Sequence, residues 1–384
     1  MNRRWLGTLC LGLVFIGSLA GCATAKPGLQ SELEPGAMVV VIDDPRSQRR
    51  QRGAAGPGYA ARLAYQDDPV LRRAASSIAR DYGLNVRQQW PLDSLGVHCF
   101  VIDAPSASVL SQLSADDRIR WVQPFNEFDL QTAPTSSRGE QLDRVANFRT
   151  GISERGRGVS IAVIDTSVDK SHPDFEFSTL TQQNFAGTRG RGTQEQHGTA
   201  VVGLIAAKPS GPKGITGIAQ EADVKVFRAC WQNPKGRGKC NTLTLALALD
   251  AAVAQRPDIL NLSLTGAADP VLQALIEKLL ADGTLVVAAY DEKRMAGARF
   301  PQPREGIVYA YGTVADMVPV TGDNVLWAPR QALSLTPSAG YDIVSGHSIA
   351  APQIAAVAAC LIERMPTATR PEIVEQLDEW LVGG

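Results

Sequence analysis

The sequence predicts an α/β fold over its last two-thirds and a small α+β domain before it. Residues 159–164 form an apolar run interrupted only by Ser160, which is typical of a strand buried on both faces of a sheet. Apolar side chains in residues 346–364 recur at helical spacing, which indicates a buried helix. Between residues 37 and 128, strand and helix patterns follow in the order β-α-β-β-α-β, which predicts a ferredoxin-like plait. The chain, with 384 residues, is long enough to form both domains.

The amino terminus has the pattern of a secretory signal. Two arginines precede an apolar run over residues 5–20, and the ending LAGC at residues 19–22 resembles the lipobox of bacterial lipoproteins. That resemblance implies removal of residues 1–21 and lipidation of Cys22. The protein would then be anchored in the bacterial cell envelope, at the outer membrane facing the periplasm. A cleaved signal without a lipid and an uncleaved membrane anchor are the alternatives.

Charge and cysteines limit the classes of function. A net charge of −1 at pH 7 provides no strong field that would attract nucleic acid. Cys230 and Cys240 flank the polar loop WQNPKGRGK, and in an oxidising compartment they are predicted to form a disulfide. The four histidines show no metal-ligand spacing beside them, so neither a metal nor a cofactor is expected. Cys99 and Cys360 are predicted to be small core residues.

The region before the main domain is predicted to contain a tether, a folded unit and a linker. Residues 22–36 are polar and contain Pro and Gly, as expected for a tether, and residues 131–143 form a polar linker. The folded unit spans residues 37–130. Its predicted elements are strand 37–42, helix 70–82, strands 85–90 and 97–102, helix 106–113 and strand 119–128.

Three short segments of the main domain carry candidate chemistry. Asp165 follows the buried strand, where open α/β sheets place their sites. His197 begins the segment HGTAVVGLIAA after a glycine-rich loop, and Ser348 lies at the start of the helix that contains GHSIAAPQIAA. Taken singly, each residue is ordinary, since a strand-end carboxylate, a capping histidine and an N-cap serine are all common.

Taken together, in the order Asp, His, Ser, these segments resemble the signature segments of subtilisin-like serine proteases, the subtilases of peptidase family S8. The resemblance extends from about residue 140 to the end, so residues 144–384 are expected to be the catalytic domain. It implies a parallel, mostly seven-stranded sheet with helices on both faces. It also implies a serine endopeptidase that works through an acyl-enzyme, with Ser348 as nucleophile, His197 as base and Asp165 holding the imidazole.

The same resemblance suggests how polypeptides are bound. Ser263, Leu264 and Thr265 lie in a strand whose counterpart in the family pairs with an extended substrate. Residues 116–130, DDRIRWVQPFNEFDL, resemble the last strand of subtilase propeptides. The unit at residues 37–130 is therefore expected to act as an intramolecular chaperone and inhibitor, with processing in the linker.

The chain departs from the family pattern at several positions. Asp291 stands where the family has the asparagine that donates to the oxyanion; an ionised carboxylate would repel the oxyanion, whereas a protonated one could donate a hydrogen bond. His347 replaces a threonine before the nucleophile, and its ring either affects the site by its charge or points outward. Gln353 and Ala200 replace two histidines and are interpreted as packing changes. No aspartate cluster has calcium-loop spacing.

Two other functions are compatible with this pattern. A pseudoenzyme would keep the subtilase fold and bind peptides or protein partners without turnover, and an esterase-like hydrolase would use the same triad chemistry. The presence of all three triad residue types favours catalysis over the pseudoenzyme.

Overall fold

The computed structural model describes residues 35–44, 69–130, 153–190, 192, 195–212, 214–290, 299–313, 322 and 324–383. Five of the sequence-based predictions lie wholly or mostly outside these residues: the signal peptide, Cys22, the tether at residues 22–36, the linker 131–143 and Asp291.

The amino-terminal unit has the predicted ferredoxin-like arrangement. Its strands are antiparallel and lie in the order β2-β3-β1-β4, and its two helices pack on one face of the sheet. The elements are β1 (Met38–Asp43), α1 (Pro69–Asp81), β2 (Val86–Leu92), β3 (Val97–Ile102), α2 (Ala107–Ser114) and β4 (Trp121–Pro124).

The predicted last strand of this unit, residues 119–128, is wrong in its second half. β4 ends at Pro124, and a separate strand, β5 (Glu127–Leu130), leaves the plait and joins the main domain. Proline has no N–H to donate to a ladder, so the strand ends there readily. Asn126 then turns the chain away, because its backbone N–H donates to Thr242 Oγ1 and its carbonyl accepts from Thr242 N.

The main domain contains an all-parallel sheet of seven strands in the order β16-β15-β13-β11-β6-β8-β7. From β6 the chain moves toward β8 in one direction and later toward β11 in the other. The carboxyl ends of β6 and β11 therefore form a topological switch point, where such sheets bind ligands. The strands are β6 (Ser160–Asp165), β7 (Leu180–Asn184), β8 (Asp223–Arg228), β11 (Ile259–Leu262), β13 (Leu285–Ala289), β15 (Ile307–Thr313) and β16 (Val325–Pro329).

Helices cover both faces of this sheet, as predicted, because its strands are apolar on both sides. One face packs against α4 (Thr242–Gln255) and α5 (Pro270–Ala281). The other packs against α3 (Gln196–Ala206), α6 (His347–Arg364) and α7 (Arg370–Gly383). Alternate residues of β6 separate the two cores: Ala162 and Ile164 face the first, and Ile161 and Val163 face the second.

The plait docks on α4 and α5. One face of its sheet shares an apolar core with these helices, and Trp90 is the largest fully buried side chain in that layer. Polar contacts complete the interface: Gln123 Nε2 donates to Asp269 Oδ1 at 2.6 Å, and Asn126 Nδ2 donates to Asp269 Oδ2 at 3.0 Å. Asp269 also caps α5, since it accepts from Leu272 N. A single buried carboxylate thus links the plait to a helix terminus.

A smaller sheet crosses from one domain to the other. Its order is β14-β12-β5-β10-β9, so the strand from the amino-terminal unit lies between two strands of the main domain. Its other members are β9 (Trp231–Gln232), β10 (Gly238–Asn241), β12 (Leu264–Ala267) and β14 (Arg299–Phe300), and the last two strands of the chain, β17 (Gln331–Thr336) and β18 (Gly340–Ser345), form a hairpin before α6.

The free cysteines Cys99 and Cys360 are buried, in agreement with the core positions predicted for them. Burial also raises the pKa of the Cys360 thiol to about 12. Within the described ranges, none of the helices combines the length and apolar character that a membrane crossing requires.

Candidate active site

Asp165 ends β6 at the switch point and is fully buried. Its Oδ1 accepts hydrogen bonds from the backbone N–H of Thr166 at 2.6 Å and from His197 Nδ1 at 2.7 Å. Because the carboxylate accepts from the imidazole, Nδ1 carries the proton and Nε2 is left as an acceptor.

His197 lies in the first turn of α3 and is 5% exposed. The next residue, Gly198, brings the helix against the loop after β6, where a Cβ would lie 2.6 Å from Thr166 O. Only glycine allows this approach, and the Gly198 N–H donates to Thr166 Oγ1 at 2.9 Å. The helix start is thereby fixed against the residues that follow Asp165.

Ser348 is the second residue of α6 and is fully buried. The preceding Gly346 has φ 143°, a conformation that L side chains rarely adopt, and it forms the sharp junction between β18 and α6. This junction directs Ser348 Oγ to His197 Nε2, at 3.1 Å. Three residues far apart in the sequence therefore meet as a row of hydroxyl, imidazole and carboxylate, an arrangement in which a proton can pass from the hydroxyl to the imidazole.

The loop after Asp165 is held by two further carboxylates. Asp169 accepts from Ser171 and from Ser338 N in the turn between β17 and β18. Burial raises the pKa of Asp174, but hydrogen bonds from Ser210 and from the Ile215 N–H outweigh burial, so the net pKa is lowered. Burial likewise raises the pKa of Asp169, but its hydrogen bonds from Ser171 and Ser338 outweigh burial and lower the net pKa. Both carboxylates thus stay ionised at neutral pH and tie the loop to its neighbours.

His347 faces inward, so the alternative in which it points outward is wrong. Its Nδ1 accepts from the Gly312 N–H at 2.9 Å, and its ring lies 4.9 Å from that of Tyr311 and 6.2 Å from that of Tyr290, measured between centroids. The half-buried imidazole therefore packs against the end of β15.

Gln353 and Ala200 both have packing roles. Gln353 Nε2 donates to Pro329 O at 2.9 Å and to Ile349 O at 2.8 Å. Ala200 packs against residues of α6 and of the β17–β18 hairpin, and its carbonyl accepts from Ser334 Oγ at 2.6 Å.

The predicted substrate-binding strand is occupied by β5. Ser263 is buried directly before β12, and within β12 Leu264 and Thr265 pair antiparallel with residues 130 and 129. On its other side, β5 pairs antiparallel with β10. The separate strand β5 is not recognisable from the sequence, because Glu127–Leu130 continues the apolar alternation of β4 and its partners lie more than a hundred residues away.

Alternate side chains of β5 enter the main domain. Phe128 is 1% exposed and meets the ring of Phe300 edge-on at 5.7 Å. A Cβ on Gly266 would lie 2.0 Å from Phe128, so this glycine leaves the space that the ring fills. Leu130 likewise packs on Gly238. The exposed Asp129 pairs with Lys239 Nζ at 2.8 Å.

Cys230 and Cys240 form a disulfide, as the sequence predicted. It closes the β9–β10 hairpin, whose second strand pairs with β5. The hairpin is also joined to the site, because the N–H groups of Ala229 and Cys230 both donate to the carbonyl of Asp165 at 3.0 Å. In the part of the chain that the structure describes, no three His, Cys, Asp or Glu side chains are grouped so that they could hold a metal ion.

Comparison with known proteins gives the site a context. The family described as "Subtilase family" (peptidase S8) matches residues 156–379, which is more than half of the chain. The chain is similar to the intracellular serine protease of Paenibacillus polymyxa, with 30% identity over 249 residues that cover 58% of this chain and 74% of that protein. It is also similar to subtilisin NAT of Bacillus subtilis subsp. natto, at 26% identity over 58% of this chain and 60% of that protein.

Among solved structures, the chain is similar in fold to fervidolysin from Fervidobacterium pennivorans, a keratinolytic enzyme related to subtilisin. The TM-score is 0.63 at 18% identity, and the match covers 90% of this chain and 57% of that one. At this identity the similarity concerns the fold alone.

The disulfide generates a stability prediction. Replacing both cysteines, Cys230→Ser with Cys240→Ser, should lower the free energy of unfolding by about 2–3 kcal/mol, because the unfolded chain regains the entropy of an open loop. Urea unfolding with and without dithiothreitol measures the effect. The reductant should destabilise the wild type and the control Cys360→Ala, but not the double variant. Equal sensitivity of all three proteins would contradict the prediction.

Proposed function

The chain belongs to the subtilase family of serine endopeptidases, and we propose that it hydrolyses peptide bonds with Asp165, His197 and Ser348 as its catalytic triad. The two hydrogen bonds that join these side chains, at 2.7 and 3.1 Å, carry this assignment. They give each group the partner that its role requires: a base for the hydroxyl and a buried carboxylate for the base.

The reaction follows from this geometry. The proton of Ser348 passes from Oγ to Nε2 of His197 while Oγ attacks the carbonyl carbon of the scissile peptide. Asp165 stabilises the imidazolium that results. The imidazolium then gives its proton to the leaving amine as the C–N bond breaks, which leaves an ester on Ser348. Water attacks this ester by the same proton transfers, and the acid product and the free hydroxyl are released.

The substrate that fits is an extended polypeptide. Such a chain would add as a strand between β12 and β10, where backbone hydrogen bonds provide affinity and pockets select alternate side chains. β5 is a template for this mode. Its contacts favour an aromatic residue at the position of Phe128 and an acidic residue at the position of Asp129, opposite Lys239.

The plait would act as an intramolecular inhibitor. β5 occupies the strand position that a substrate needs, and the rest of the plait is held on α4 and α5 by an apolar core and by Asp269. Since β5 and the plait are one chain, the effective concentration of the inhibiting strand is high while the linker is intact. Cleavage in residues 131–143 would turn the plait into a separable inhibitor.

Lipidation of Cys22 would then anchor the plait rather than the catalytic domain. The lipid would sit at the amino end of the plait, and the proposed cut would lie between the plait and residue 144. After cleavage, only non-covalent contacts would keep the enzyme at the bacterial outer membrane. The precursor and the released enzyme would thus have different locations.

Asp291 is proposed to take the place of the asparagine that the family uses at the oxyanion. A protonated carboxyl would donate a hydrogen bond to the tetrahedral intermediate, whereas the ionised form would repel it. Activity would then be favoured in mild acid. His197 must remain neutral to act as a base, so the gain would end where the imidazole becomes protonated.

Labelling by a fluorophosphonate tests the triad. The probe should modify the full chain at Ser348, and Ser348→Ala should abolish labelling. His197→Ala should slow it by about 10³-fold or more. Phe128→Asp should accelerate labelling by about 10-fold or more. A charge at the buried position of Phe128, against Gly266 and Phe300, would expel β5 and open the site to the probe. The matched control, Asp129→Asn, alters only an exposed contact and should change the rate little.

An absence of labelling in both the wild type and Phe128→Asp, from pH 5 to 9, would contradict the enzyme assignment and favour a peptide-binding pseudoenzyme. Labelling without digestion of casein by Phe128→Asp would favour an esterase-like hydrolase.

The oxyanion proposal gives a separate prediction. Asp291→Asn should raise the fluorophosphonate labelling rate at pH 7 by about 10-fold or more, since an amide donates regardless of pH. The gain should shrink as the pH falls toward ordinary carboxyl pKa values near 4, because the wild-type group then becomes protonated. The variant and the wild type are compared in the Phe128→Asp background. An unchanged or lower rate at neutral pH would remove this role from Asp291.

Mass spectrometry tests maturation and anchoring together. Protein isolated from cell envelopes should contain a fragment that begins at lipidated Cys22 and ends between residues 130 and 143, together with an unlipidated catalytic fragment. Ser348→Ala should accumulate as the uncut lipidated chain. An unmodified Cys22 would refute the anchor, and normal processing of Ser348→Ala would refute self-cleavage.

A further inference from the structure

A buried ion pair lies behind the triad. Glu195 is fully buried just before α3, and Arg228 is 3% exposed at the end of β8. Arg228 Nε donates to Glu195 Oε2 at 3.0 Å, and Nη2 donates to Oε1 at 2.9 Å, so the contact is bidentate. Planar bidentate pairs of this kind hold their partners in a defined orientation.

All five N–H groups of the Arg228 guanidinium have acceptors. Besides the two bonds to Glu195, Nη1 donates to Asn184 Oδ1 and to Gly187 O, both at 3.0 Å, and Nη2 also donates to Arg189 O. The guanidinium therefore cannot rotate without breaking several bonds, and Glu195 is held by a fixed cation.

Glu195 passes this constraint to the catalytic residues. Its Oε2 accepts from the Ser167 N–H at 2.9 Å, two residues after Asp165. Glu195 itself lies two residues before His197, so the two backbones are within about 7 Å. Its Oε1 accepts from Gln232 N at 3.3 Å, in the β9–β10 hairpin, whose second strand pairs with β5. One side chain thus joins the loop after Asp165, the start of α3 and the β9–β10 hairpin.

We infer that Glu195 and Arg228 are a positioning pair, which holds Asp165 and His197 in register and keeps the electrostatic environment of the imidazole neutral. The inference rests on the triad proposed above. Neither side chain touches the reacting atoms; both act through the two catalytic residues that they hold.

The pair predicts opposite pH effects for its two halves. Glu195→Gln leaves a buried cation, which disfavours the imidazolium. It should therefore move the acid limb of the pH–rate profile, where protonation of His197 removes the base, to lower pH. Arg228→Gln leaves a buried anion and should move the limb to higher pH. At an effective dielectric constant of about 20, a unit charge about 10 Å from the imidazole shifts the limb by about one pH unit. In the described residues, the other charged or titratable groups close to the pair or the imidazole include Asp165 on β6, Asp169 after it, Arg189 in the loop before Glu195, and His347 on α6.

The experiment measures fluorophosphonate labelling against probe concentration and pH, in the full chain carrying Phe128→Asp. The maximal labelling rate should fall by about 10- to 100-fold in each single variant, with the half-saturating probe concentration changed less than about 2-fold. Arg228→Lys keeps the charge but not the bidentate geometry, so its rate should fall while its acid limb stays in place. The double variant Glu195→Gln/Arg228→Gln should return the limb to the wild-type pH but remain slow.

The control variant is Arg157→Gln, which removes a surface ion pair with Glu221. It should change neither the labelling rate nor the acid limb. Folding of each variant is checked by thermal unfolding. If the single variants unfold at lower temperatures but keep their labelling rates and acid limbs, the pair only stabilises the fold. The inference is also overturned if Glu195→Gln and Arg228→Gln move the acid limb in the same direction. If the Phe128→Asp parent is itself not labelled, the proposed triad has failed rather than the pair.

Discussion

The hydrogen bond between His197 Nδ1 and the buried carboxylate of Asp165 sets the tautomer of the imidazole, and the surrounding structure maintains that contact. It leaves Nε2 free to accept from Ser348, whose position depends on the sharp turn at Gly346. The carboxylate comes from a strand end and the other two groups from helix starts. These elements meet because parallel strands end together at one edge, where loops can bring their side chains to one point.

The same edge explains why one backbone surface can serve two purposes. β12 and β10 each present a row of backbone N–H and C=O groups to the strand that lies between them, and an extended strand satisfies both rows. The chain fills this space with its own β5, so an inhibitor and a substrate would use the same bonds. Phe128 adds an apolar anchor to those bonds, while Asp129 opposite Lys239 adds charge.

Around this site, three carboxylates are buried in hydrogen-bonded networks. Arg228 and Glu195 neutralise each other, Asp174 gathers donors from Ser210 and Ile215, and Asp269 links the plait to a helix terminus. A buried charge is tolerated when its partner and its hydrogen bonds are both present, and removal of one partner is costly. Such networks allow little movement, which suits a site whose reacting atoms must stay within hydrogen-bonding distance.

The sequence by itself determined the elements and the chemical groups. The apolar run of β6 predicts a buried strand, the pattern of the first third predicts the plait, and the spacing of Cys230 and Cys240 predicts their disulfide, because each signal is local or depends on residue type. The residues Asp165, His197 and Ser348 were likewise identifiable from their segments. Only the tertiary structure decided three further features: the departure of β5 from the plait, the inward orientation of His347, and the pairing of Glu195 with Arg228. Each depends on a partner distant in the sequence, such as Thr242, Gly312 or a strand of another domain. Such a contact leaves no pattern in the local sequence, because it forms only when the chain folds.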